Sequence, residues 1–250
     1  MFAIPRDRLA DVEPWFLPEL PGPLVYQHVR RSGVGRVLVD RWPDPRLILA
    51  EAGGGNYALR GNPQLLDNSA VSDVAGFVEA PPSFEPRLRL LDPDLGSWDR
   101  VIFLLAGSGL AASTDPRVRR VTSADAPAMS RMHPELAWIA ETWGGAAALA
   151  ATGVAWAAFA AGTPIAVALP FYLGSQFEDI GVVTAPECRR QGLARSSAAA
   201  VISDIRERGH TPTWTTSPDN TSSLAVAESL GFRQERTDGL WAFRAQIPTG

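Results

Sequence analysis

The sequence predicts a mixed α/β protein of the α+β class, on three observations. Residues up to about 113 are punctuated by proline and glycine and read mostly as short strands. From Arg117 onward, strand-like and helix-like runs alternate. In that second part, the apolar run Ile180-Gly181-Val182-Val183-Thr184 leads through Pro186 into Arg189-Arg190-Gln191-Gly192-Leu193-Ala194 and then a long helical pattern.

That third feature carries the most chemistry. Ala194, Ala198, Val201 and Ile205 recur at helical spacing, Arg206 and Arg208 fall in the last turn, and Gly209 follows, so a helix is expected from about Leu193 to Arg208. The first amides of a helix lack intrahelical partners, and the dipole adds partial positive charge there. A glycine loop opening such a helix is therefore an anion cradle. Arg30-Arg31-Ser32-Gly33-Val34-Gly35 matches the same loose pattern. There the flanking runs, Leu24 to Val29 and Val37 to Trp42, both read as extended, so that copy is expected to be a hairpin turn.

Further strands in the first part are expected at Val37–Trp42, Arg46–Glu51, Tyr57–Gly61, Arg87–Leu91 and Val101–Leu105, with a helix at Leu66–Phe77. Ala111 to Pro116 is small and polar and reads as a linker, dividing residues 1–113 from 116–250. The second part opens with a strand at Arg117–Val121 and a helix start at Ser123-Ala124-Asp125. A helical stretch then runs through Met129, Met132 and Leu136 toward Trp143, with a short helix at Ala146–Ala151. Val154–Ala160 and Pro164–Tyr172 form a hairpin, Phe177–Thr184 and Thr213–Thr216 are strands, and Asn220–Leu230 is a helix before closing strands in Arg233–Phe243.

Composition removes several function classes. A hydrophobic share of 46% with 20% charged residues is that of a folded globular chain, not a disordered one. A net charge of −4 argues against general nucleic-acid binding. No apolar run is long enough to span a membrane, and Met1 to Arg8 reaches charge too soon for a secretory signal. One cysteine, Cys188, excludes an internal disulfide and fits a reducing interior, so the cytoplasm is the expected compartment. No metal-ligand spacing is present, and no glycine pattern has the acidic partner of a dinucleotide site.

The segment Gly181 to Ala194 resembles the acyl-CoA pyrophosphate motif of the GCN5-related N-acetyltransferases, the GNAT enzymes. Asn220 to Phe232, ending Leu230-Gly231-Phe232, resembles the last helix of the same family. The likeness covers Arg117 to Ala245, about half the chain, and the preceding part looks like the extra N-terminal domain of a bacterial subgroup. It implies a twisted mixed sheet flanked by helices, in which two parallel strands, here Glu178–Thr184 and Thr213–Thr216, splay apart around the pantetheine of acetyl-CoA. By resemblance, the backbone of Val182, Val183 and Thr184 holds pantetheine, and the amides of Gln191, Gly192, Leu193, Ala194 and Arg195 take the pyrophosphate. Arg189 and Arg190 add charge, and Asn220 either reaches the cofactor, caps its helix, or does both.

The implied activity is direct acetyl transfer to an amine in a ternary complex, with acetyl-CoA as co-substrate and no metal. Glu178 matches the position of the family's base; the alternative is a carboxylate at the sheet edge or one that grips a cationic substrate. Glu178 and Asp179 lie on opposite faces of a strand, so only one faces the cleft. The family's acidic tyrosine is replaced by Ala227, leaving Tyr172, Ser222 or solvent to protonate the thiolate. That departure keeps a second reading open, an acyl-CoA-binding sensor or scaffold without turnover. Small amines, amino acids and protein N-termini are all compatible acceptors, with the acidic net charge leaning toward a cationic one. His133, Trp138, Glu141, Trp143, Thr215, Thr216 and Ser217 are candidates for its recognition, against plain packing. The N-terminal part either shapes the acceptor cleft or forms a homodimer contact.

Overall fold

Among the described residues, every strand joins one sheet. In the computed structural model, which describes residues 1–107 and 115–248, these are β1 (Phe2–Ala3), β2 (Arg36–Val39), β3 (Leu47–Glu51), β4 (Asn56–Gly61), β5 (Gly76–Glu79), β6 (Gly96–Leu105), β7 (Val118–Arg120), β8 (Trp156–Ala160), β9 (Thr163–Leu173), β10 (Phe177–Thr184), β11 (Thr211–Thr216) and β12 (Phe232–Phe243). The order is β1-β2-β3-β4-β5-β12-β6-β11-β10-β9-β8-β7. Among the described residues, only β4–β5 and β10–β11 pair in parallel. The helices are α1 (Leu9–Val12), α2 (Val25–Ser32), α3 (Glu85–Leu91), α4 (Ala126–Met129), α5 (Ala146–Thr152), α6 (Leu193–Glu207) and α7 (Thr221–Ser229), with a ten-residue 3-10 helix at Pro134–Trp143.

Strands from the two parts of the chain interleave. β6 lies between β11 and β12, and β12 in turn pairs with β5. The expected linker at Ala111–Pro116 falls mostly outside the described residues. On one face of the sheet, α6 and α7 cover Phe103, Ala168, Ile180, Trp214 and Phe232. On the other face, α5 and the 3-10 helix cover Val167 and Leu169, while α2 packs with Val37, Ile48 and Ala58. The crossover from β10 through α6 to β11 is the one element that joins parallel neighbours beside the glycine loop.

Three local expectations are corrected. Leu24–Val29 is not extended; α2 starts at Val25 because Val25, Tyr26 and Val29 all bury against the core, which outweighs their β preference. Gly33 then caps α2 at a φ of 70°, so the Arg30 to Gly35 copy ends a helix instead of starting one. Arg87–Leu91 lies in α3, where Glu85 and Arg89 form an i,i+4 pair at 3.0 Å and Leu88 alone is fully buried. Leu66–Phe77 is mostly turn, because Asp67 Oδ1 accepts from the Ala70 amide at 2.8 Å and diverts the backbone from a helix.

One carboxylate ties the N-terminal segment to the centre of the sheet. Glu19 is buried and accepts from the amides of Ser175, Gln176 and Phe177 and from the Ser175 hydroxyl, in the turn between β9 and β10. Burial alone would raise its pKa, but these donors outweigh it and hold the pKa below the ordinary value. A depressed carboxyl pKa stabilises the fold above the unfolded pKa and loses that contribution as pH falls through the folded one. Glu19→Gln is therefore expected to cost about 2 kcal/mol at neutral pH in denaturant unfolding. The gap from the parent should narrow as the pH drops below about 4.

Candidate active site

The pairing of β10 with β11 stops half-way. Phe177, Glu178, Asp179 and Ile180 sit opposite Thr211, Pro212, Thr213 and Trp214, and no register continues beyond them. The outer edge of β10 stays paired with β9 up to Thr184↔Ala166, and β11 stays paired with β6 up to Thr216↔Val101. The two strands thus part as a fork opening toward the glycine loop.

Backbone direction in the fork follows from the flanking bonds. Gln176 accepts from Thr211 across β11, whereas Ala185 donates to Ile165 on β9. Because the polar groups of a strand alternate in direction, those of Val182 and Thr184 face the gap. Val183 instead turns its backbone to β9, against the expectation that all three face the cofactor. Among the described residues, the buried Thr184 hydroxyl has no hydrogen-bond partner.

Beyond the fork, Gly192 takes a φ of 76° and no side chain caps α6. A Cβ on Gly192 would meet no atom within 4 Å, so the loop is open on that side. The Ser196 amide is bonded to the Gly192 carbonyl, leaving the amides of Leu193, Ala194 and Arg195 as the unpaired first turn. Arg189 pairs with Glu135 at 2.8 Å, Gln191 accepts from Arg117 at 3.0 Å, and Arg190 stands exposed at a φ of 61°. Asn220 Oδ1 accepts from the Ser223 amide at 3.0 Å, so the residue is the N-cap of α7.

The GNAT acetyltransferase family model matches residues 110–238, just over half the chain and the whole fork. A Streptomyces virginiae protein, described as an uncharacterized N-acetyltransferase in the mutA 5′ region, is 34% identical over 216 residues, covering 84% of this chain and 90% of its own. The chain belongs to the GNAT acetyltransferase family. Its fold is also that of solved family structures. A GCN5-related N-acetyltransferase-like protein from Streptococcus suis superposes with a TM-score of 0.70 at 16% identity, over 95% of this chain and 99% of that one. A GNAT-family acetyltransferase from Novosphingobium aromaticivorans gives 0.59 at 21% identity, over 87% and 94%. The protein is accordingly a GNAT acetyltransferase enzyme. Among the described residues, no helix is long and apolar enough to cross a membrane, and no group of three His, Cys, Asp or Glu side chains is poised for a metal.

Within this GNAT frame the two carboxylates at the root of the fork have opposite fates. Glu178 is 1% exposed, with Arg208 bonded to both its oxygens at 2.9 and 2.6 Å and His210 Nδ1 at 2.7 Å from Oε1. The expected base is thus consumed by a cluster at the C-terminal end of α6. Asp179 lies on the other face, 4% exposed. The hydroxyls of Thr213 and Thr215 both donate to its Oδ1, at 2.7 and 2.8 Å, and among the described residues Oδ2 has no hydrogen-bond partner. Burial pushes its pKa up to about 6, against the two hydroxyls, Arg100 and Arg236, which pull it down. Thr213 was not singled out in the sequence, and Asp179 only as a foil to Glu178; the alternation of the strand was the one signal pointing to it.

The other expected recognition residues are mostly structural. Trp143 is core and donates to the Pro170 carbonyl at 2.9 Å, His133 accepts from the Glu135 amide, and Ala227 is the buried residue of α7, packed into the core. Tyr172 donates to Asn56 at 2.8 Å, and burial raises its pKa far above the ordinary phenol value. Ser222 is exposed, Cys188 packs between two core clusters, and Trp138 is exposed with its ring edge on Phe171. Glu178→Ala should lower stability by about 2 kcal/mol in denaturant unfolding, a reduced figure for a buried pair because Arg208 and His210 remain partly solvated.

Proposed function

We propose that this GNAT enzyme carries acetyl from acetyl-CoA directly to an amine, both substrates being held at once across the fork. The observation that carries the reading is the alignment of an open strand edge with an uncapped helix N-terminus. The free backbone groups of Val182 and Thr184 suit the amide-bearing pantetheine arm, which binds like an added strand. The amides of Leu193, Ala194 and Arg195 suit a pyrophosphate, with Gln191 and Gly192 shaping the loop and Arg189 and Arg190 adding charge. Asn220, already a cap, keeps its side-chain amide for the same ligand. When bound, acetyl-CoA supplies the thioester carbonyl to be attacked and the thiolate that leaves.

Asp179 is the base in this reading. As the C–N bond forms, the proton on the attacking nitrogen becomes acidic and passes to Oδ2, the oxygen no hydroxyl occupies. Thr213 and Thr215 hold Oδ1 and so fix the direction of the free lone pairs. Glu178 serves as an anchor for the end of α6. With Ala227 in the core and the Tyr172 proton given to Asn56, the departing thiolate is protonated from solvent.

Calorimetry with acetyl-CoA tests the cradle. The parent should bind, and Gly192→Val should weaken binding at least about tenfold, because a branched residue cannot hold the left-handed backbone that precedes the helix. Absence of binding by the parent, together with no thiol release from an amine panel, would sink the assignment. For Asp179→Asn, kcat should fall by about 10² to 10⁴ with coenzyme affinity retained. A base works only when ionised, so the parent's kcat should drop as pH falls through about 6, and that limb should vanish in the variant.

A further inference from the structure

The sheet face that holds Asp179 carries a row of charged side chains beneath the N-terminal segment. Arg60 on β4 pairs with Glu79 at 2.7 Å, and Arg236 on β12 pairs with Asp238 at 3.3 Å. Arg100 on β6 and Asp179 on β10 belong to the same row, yet among the described residues neither has an opposite charge within ion-pair distance. The Arg100 guanidinium lies over the Trp98 indole, 4.0 Å from its centroid, so one flat face is covered and the polar edge is left over. Its Nε is buried with no hydrogen-bond partner among the described residues, and Nη2 makes a long contact of 3.3 Å with the Thr215 carbonyl. Burial lowers the Arg100 pKa, opposed by Asp179, Tyr172 and Asp219, as expected for a cation that its surroundings only partly compensate.

Thr215 touches both unpaired charges. Its hydroxyl donates to Asp179 and its carbonyl accepts from Arg100, at the first residue of β11 past the end of the β10 pairing. An anion-seeking edge and a proton acceptor therefore stand one residue apart at the root of the fork. From this juxtaposition we infer that the acceptor is an amino-acid-like amine, its carboxylate taken by Arg100 and its nitrogen presented to Asp179. The inference rests on the acetyl-transfer reading above. A guanidinium edge offers near-parallel N–H donors that match the two oxygens of a carboxylate. A carboxylate at the outer edge of the guanidinium would compensate the charge its surroundings leave over, whereas a polyamine would set a further positive charge beside Arg100. The cationic acceptor favoured by net charge alone is thus disfavoured by the site itself.

The test compares kcat/KM, by thiol release at saturating acetyl-CoA, for L-amino acids, their amides and the amines left by removing the carboxylate. The parent should favour an amino acid over its decarboxylated amine by about 100-fold. Arg100→Gln, compared at a pH where Asp179 is ionised in both proteins, should abolish that ratio, and Arg100→Lys should restore part of it. Equal use of amino acid and amine, preference for a phosphorylated amine, or turnover of other amines with no amino acid used would each overturn the inference. So would the absence of any turnover, if calorimetry then finds no amino acid binding to the coenzyme complex. The parent's ratios decide the matter even if a variant fails to fold. Acetyl-CoA titration of the same preparations separates the two levels: loss of coenzyme binding brings down both readings, while binding without carboxylate discrimination brings down this one alone.

Discussion

The organisation of this protein depends on the point where β10 and β11 stop pairing. Each is fully bonded along its outer edge, β10 to β9 and β11 to β6, so neither can close the gap without giving up a complete ladder. Backbone polar groups left in a gap at the centre of a sheet are costly unless water or a ligand meets them. The fork is therefore a standing demand for hydrogen bonds at the centre of the sheet. α6 sits in the only connection between the two strands, so its unpaired amides point at the same place as the open edge.

Adjacent residues at the root of that fork show how a strand divides chemistry between its faces. Glu178 and Asp179 are both buried carboxylates, yet one meets Arg208 and His210 while the other meets two hydroxyls and a free edge. A carboxylate with a bidentate guanidinium is a poor proton acceptor, since its lone pairs are engaged and its charge is neutralised. A carboxylate whose buried charge is only partly compensated is a better one. The same partial compensation appears at Arg100, and Thr215 couples the two sites through a hydroxyl and a carbonyl of one residue.

Much of the second half was legible beforehand. Gly192 with the helical pattern after it, the hairpin around Gly162, and the Asn220 helix ending at Gly231 are local signals with local causes, and each appears where expected. The first half was less legible. The strand-like composition of Val25 to Val29 yielded to burial of one helical face, and Asp67 turned a helical-looking stretch with a single side-chain bond. At the site, the loop conformation could be read, but the partners of the two carboxylates could not. Glu178 meets Arg208 and His210, thirty or more residues away, only because the chain folds them back on one face, and that leaves Asp179 on the other.

The sequence by itself determined the glycine turn into α6, because a glycine at positive φ before a helix is a property of neighbouring residues. It also carried enough of the family's motifs to mark the chain as an acetyltransferase. Only the tertiary structure decided that β6 comes to lie beside β11, bringing Arg100 from the first part of the chain against Thr215, whose hydroxyl holds Asp179. The physical reason is strand pairing: nothing local to Arg100 specifies its neighbour, and a ladder between segments more than a hundred residues apart forms only when the whole sheet does.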